Sequence, residues 1–110
     1  MKGYIEKRAW GNFEIIETGQ KFLVKKMTIN PGKRLSLQYH NHRDERWTIV
    51  QGTATITKDN EIITLKENKS VFIPKLMKHR AENQENIDLI FIEIWYGDHL
   101  NESDITRTPE

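Results

Sequence analysis

The sequence predicts an all-β fold, a single-domain jelly-roll barrel, and three observations carry that prediction. Apolar and polar residues alternate with period two through most of the chain. No segment holds a helical apolar stripe over three turns. Turn-forming residues stand where the alternation stops, at Asn30-Pro31-Gly32, Gln51-Gly52, Asp59-Asn60, Asn68, Pro74 and Asn86.

The elements follow in order. Phe13 to Thr18, Phe22 to Ile29, Arg34 to His40, Glu45 to Val50, Thr53 to Lys58, Glu61 to Leu65, Ser70 to Ile73 and Ile87 to Trp95 read as strands. They are rich in Ile, Val, Thr, Phe and Trp, which suit a half-buried pleated surface. Asp59-Asn60 is expected to close a tight hairpin, since both residues tolerate positive φ. Eight short strands in 110 residues imply a closed or double-sheet antiparallel structure, because one flat sheet would leave long open edges. Residues 1–12 are expected to form an N-terminal arm, and residues 98–110 a polar tail lying across the outside of the barrel, all within one domain over residues 1–110.

Composition narrows the function. A chain of 13.1 kDa with 36% hydrophobic and 30% charged residues supports a single core. With no cysteine, disulfides, Cys-ligated zinc and thiol nucleophiles are excluded. No run approaches the ~18 apolar residues of a membrane span, and Met1-Lys2-Gly3-Tyr4 does not open a signal peptide, so a cytoplasmic protein with no membrane partner is expected. Residues 1–34 carry eight basic and three acidic groups, and the remainder nine and thirteen. The basic pairs Lys7-Arg8, Lys25-Lys26 and Lys33-Arg34 are scattered and read as solvated strand faces rather than a nucleic-acid stripe.

The informative stretch runs from Gly32 to Trp47. Up to His40, the polar Arg34, Ser36, Gln38 and His40 alternate with the apolar Leu35, Leu37 and Tyr39. In a strand the polar set shares the inner face. Leu35, Leu37 and Tyr39 then form an outer apolar stripe on which a homodimer is expected. His40 and His42 are two apart and Glu45 follows a short turn, with His79 a further candidate five residues past Pro74. Two imidazoles and a carboxylate suit one divalent ion such as zinc, manganese, iron, cobalt or nickel. Glu93 interrupts the apolar run Leu89 to Trp95, and a buried carboxylate there must be paired, ligating or functional.

Spacing carries a resemblance. Six residues separate Glu45 from Gly52, four separate Pro74 from His79, and three separate His79 from Asn83. These intervals resemble the two motifs of the cupin superfamily, with Leu76 where the second motif carries Gly and one residue fewer between His42 and Glu45. Trp10-Gly11, Leu35-Ser36-Leu37-Gln38, His42-Arg43-Asp44-Glu45-Arg46-Trp47, Leu65 to Pro74 and Ile92-Glu93-Ile94 are similar to the type II mannose-6-phosphate isomerase cupin. That domain usually follows a mannose-1-phosphate guanylyltransferase. Departures are Ala9 for a Pro, Asn41 and Arg46 for His, and Trp95-Tyr96 for Gln-Ser, of which Arg46 and Trp95 bear on the pocket.

The resemblance implies a double-stranded β-helix and a metal-dependent isomerase interconverting mannose 6-phosphate and fructose 6-phosphate. Its ligands are then His40, His42, Glu45 and His79, and its candidate base is Glu93. Gln38 is placed to bind water or a sugar hydroxyl, and Arg34, Arg43 and Arg107 to bind the phosphate. A sugar-binding cupin without catalysis and an iron-dependent dioxygenase use the same ligand set. Guanylyl transfer requires a Gly-rich nucleotide loop and hundreds of residues, so it is expected of a separate nucleotidyltransferase partner.

Overall fold

A computed structural model describes residues 2–109. The strands are β1 (Ile5–Arg8), β2 (Gly11–Thr18), β3 (Phe22–Ile29), β4 (Gln38–Tyr39), β5 (Asp44–Gln51), β6 (Ala54–Lys58), β7 (Glu61–Leu65), β8 (Ser70–Ile73), β9 (His79–Glu82), β10 (Leu89–Tyr96) and β11 (Thr106–Arg107). One sheet runs β1-β2-β3-β10-β5-β8 and the other β11-β4-β9-β6-β7, every pair antiparallel. No helix occurs among the described residues, and so none is long and apolar enough to cross a membrane.

Alternation decides which side chains meet between the sheets. Phe13, Ile29, Trp47, Ile49, Leu89 and Phe91 from the first sheet join Ile56, Leu65 and Ala81 from the second in one core. β10 occupies the centre of the larger sheet, pairing Leu89 with Ile29 on one side and Trp95 with Glu45 on the other. Charged residues share the inward parity of their apolar neighbours: Glu45 on β5, and Lys25 on β3 and Glu93 on β10, the last two facing each other in register. The β6–β7 turn follows expectation, with Asp59 at φ 51° and its Oδ1 accepting from the Lys78 N–H at 3.0 Å.

Three departures from the expected elements matter. The segment expected as one strand from Arg34 to His40 makes a bridge at Arg34 and a ladder at Gln38–Tyr39, with irregular backbone between. Parity therefore breaks: Leu35 turns into the core, and Leu37 and Tyr39 are half-buried, so the outer apolar stripe does not form. Thr108 donates its N–H to Leu37 O at 2.9 Å, and β11 covers β4. The expected N-terminal arm contains β1, paired along β2. The tail does not lie against the outer wall but crosses the mouth of a pocket between the sheets. Residues 1 and 110, the outer ends of that arm and tail, lie outside the described residues.

Candidate functional site

Glu45 and His79 line that pocket and, with His40 behind them, form a buried cluster whose ligand atoms all lie within 4.8 Å of one another. Glu45 projects inward from β5 and His79 from β9, while His40 follows β4. Backbone carbonyls hold both imidazoles: His40 Nδ1 lies 2.6 Å from Asp104 O and His79 Nδ1 2.8 Å from Met77 O. A carbonyl only accepts, so Nδ1–H donates in each case and Nε2 turns its lone pair to the cluster.

The cluster fits a divalent cation. Burial, with Arg43 and His79 adding to it, lowers the His40 pKa to about 4, so its ring is neutral at pH 7. Burial works to raise Glu45, but Arg43 and the two histidines outweigh it and hold the carboxyl below its usual range. His40 Nε2 and Glu45 Oε2 thus meet at 3.2 Å as two acceptors with no proton between them. His79 Nε2 stands 3.9 Å from the other Glu45 oxygen. Arg43 already donates toward His40 Nε2 and Glu45 Oε2, and Trp47 Nε1–H donates to Glu45 Oε1 at 2.9 Å, so a cation held by the three groups would take the place of the Arg43 contacts.

His42 is not part of this cluster. Asn41 and His42 form a bend rather than extended strand, which turns the His42 ring outward against His99, centroids 5.6 Å apart. The shortened loop before Glu45 brings Arg43 inward instead. Arg43 Nε donates to Glu45 Oε2 at 2.7 Å, and Nη2 lies 3.2 Å from His40 Nε2. The guanidinium carbon stacks 3.4 Å from the centroid of the Trp95 ring.

Glu93 lines the same pocket. Its Oε1 accepts from Trp95 Nε1 at 2.6 Å. Burial and then the charge of Glu45 push its pKa up to about 8, against the opposing pull of Lys25, Trp95 and Arg43. Gln38 also lines the pocket, its amide donating to Ser36 O and Oγ at 3.1 Å each. Arg107 stands at the rim opposite Gln38 in register.

Other expected residues lie elsewhere. Arg34 lies outside this pocket, half exposed and 3.6 Å from Glu82, because the irregular backbone after it uncouples its parity from that of His40. Arg46 faces outward over the Phe72 ring at 4.6 Å, so of the two departures only Trp95 shapes this pocket. Leu76 takes φ 70° where the cupin motif has Gly, and its N–H donates to His40 O at 2.9 Å. Charged pocket residues that escaped the sequence reading are Arg8, Lys25 and Glu102. The signal for Lys25 was its parity with Leu23, Met27 and Ile29.

The chain matches the family model described as mannose-6-phosphate isomerase C-terminal over residues 4–110. It is 45% identical over 100 residues to the xanthan biosynthesis protein XanB of Xanthomonas campestris, covering 91% of this chain and 21% of that protein. It is 47% identical over 100 residues to a mannose-1-phosphate guanylyltransferase of Salmonella muenchen, again covering 91% of this chain and 21% of the relative. The chain thus spans about a fifth of the length of these relatives. A solved RmlC-like cupin from Shewanella frigidimarina superposes with a TM-score of 0.78 at 18% identity, covering 92% of this chain and 87% of that one. The all-β topology and these matches together establish that the chain belongs to the mannose-6-phosphate isomerase C-terminal family of cupins.

Proposed function

We propose that the chain is a metal-dependent isomerase interconverting mannose 6-phosphate and fructose 6-phosphate in polysaccharide biosynthesis, beside a nucleotidyltransferase. The observation that carries this reading is the Glu93 carboxyl, buried in the pocket that Glu45 and His79 of the cluster also line and raised to about 8. Aldose–ketose isomerisation moves one proton between adjacent carbons and another between their oxygens. A carboxyl poised near neutrality both takes and returns such a proton. His40, Glu45 and His79 would hold a divalent ion, which would supply Lewis-acid polarisation of the sugar oxygens. Gln38 Oε1 can accept from a sugar hydroxyl while its amide N–H groups stay on Ser36, and Trp95 fixes the Glu93 carboxyl in orientation. The family description and the names of the relatives support the substrate and the setting.

Metal-loaded protein mixed with mannose 6-phosphate tests this by NMR. Fructose 6-phosphate should appear, cease with chelation, and form ~10²-fold more slowly in Glu93→Gln. Saturable sugar-phosphate binding without turnover would make the chain a binding module, and neither binding nor turnover would sink both readings.

A further inference from the structure

We infer that Lys25 is the anion anchor of this pocket, and that Glu102 is a built-in counterion that occupies it until the phosphate of a ligand arrives. This rests on the proposed reading for the phosphorylated sugar as ligand; the charge arrangement itself stands on the structure.

An ammonium group is strongly hydrated, and taking it out of water requires a partner. The Lys25 side chain is 4% exposed. The barrel wall gives it two aromatic faces, Phe13 at 3.9 Å and Trp95 at 4.2 Å from Nζ. Rings attract the charge but are poor acceptors for its N–H groups. Among the described residues, the carboxylate that pairs with Lys25 comes from outside the barrel: Glu102, in a turn of the segment crossing the pocket mouth.

The pair is asymmetric. Lys25 is fixed on β3 and desolvated, whereas the Glu102 side chain is 47% exposed and carried by irregular backbone. Glu102 therefore regains its hydration at little cost when it leaves, and an entering anion takes over an ammonium already desolvated and aimed. Phosphate brings more negative charge than the carboxylate it replaces, and Arg8 and Arg107 line the same pocket to meet it. Lys25 is also the register partner of Glu93, so an anion held there sets the rest of the molecule against that carboxyl. A purely structural role has no need of the charge, because an apolar side chain fills the gap between two rings without any counterion.

The test is equilibrium binding of inorganic phosphate, mannose 6-phosphate and unphosphorylated mannose to the metal-loaded full chain, its Glu102→Gln variant and its Lys25→Met variant. Glu102→Gln should tighten phosphate and mannose 6-phosphate roughly tenfold and leave mannose unchanged. Lys25→Met, which keeps the shape between the rings, should weaken both anions at least ~10-fold and spare mannose, with Lys25→Arg recovering part of the loss. Unchanged or weaker phosphate binding in Glu102→Gln, wild-type binding in Lys25→Met, or no anion binding by any of these proteins would overturn the anchor. None of these readouts needs turnover. Charge-dependent binding without isomerisation would sink the isomerase alone, and isomerisation with affinities indifferent to both variants would sink the anchor alone.

Discussion

On the floor of the pocket, Lys25, Glu45, His79 and Glu93 project from four different strands of the two sheets. On its rim, Glu102 and Arg107 come from a segment, carrying Asp104 between them, whose regular structure is the two-residue β11. Ladder hydrogen bonds on both sides hold the floor residues, so their mutual geometry follows from strand register. The rim is held by side-chain contacts: Asp104 Oδ1 and Oδ2 each accept one backbone N–H, from Asn41 and His42, at 2.9 Å. One end of the pocket is fixed by strand register, and the other is carried by largely irregular backbone.

The sharpest way to break that contrast is to damage both ends and compare. Glu45→Gln leaves the Arg43 guanidinium buried without its carboxylate, and should cost about 3 kcal/mol or more in urea unfolding and abolish metal uptake by elemental analysis. The second effect belongs to pH. In the metal-free protein, Glu93 titrates at about 8 against an ordinary 4.5, so the folded state holds this proton more tightly than the unfolded state. The stability it contributes is whole below pH 4.5 and is lost as pH rises through 8. Relative to Glu93→Gln, wild-type stability should therefore fall across this window with a slope approaching ~1.4 kcal/mol per pH unit. A flat difference would mean that Glu93 is already ionised when folded. The smallest effect belongs to the rim: Asp104→Ala should cost about 1 kcal/mol, since the two N–H groups it releases lie on an exposed bend and reach water. A loss as large as that of Glu45→Gln would erase the distinction between floor and rim.

The same contrast explains what was legible beforehand. β2, β3, β5 to β8 and β10 alternate visibly because each buries one face, and within them parity alone places Glu45 and Glu93 inward. β9 escaped notice because its inward residues are His79 and Ala81, which carry little apolar signal. β1 is a largely exposed edge strand, and β11 is too short to show any period. His42 and Arg34 were misplaced for one reason: parity counts residues along extended backbone, and the chain bends at Asn41-His42 and loses its ladder between Arg34 and Gln38. Lys25 was misread differently. Its parity was correct, but composition favoured a solvated lysine, and the carboxylate that stabilises it lies 77 residues away. Contacts of that span leave no local trace.

The central place of β10 has a consequence for the order in which the molecule can be made. A nascent chain that has reached Asp88 already holds β3 and β5, the two strands that flank β10, but both then present open edges toward the gap. Glu93 and Trp95 arrive with the missing strand, and the carbonyl that orients His40 arrives only with Asp104. Sheet closure, the acidic group of the pocket and the alignment of its first imidazole thus depend on one stretch of synthesis, residues 89–104. Until the ribosome has released that stretch, the chain has neither a sealed barrel nor an oriented ligand cluster, and it is in that interval that its unprotected edges are exposed to other strands.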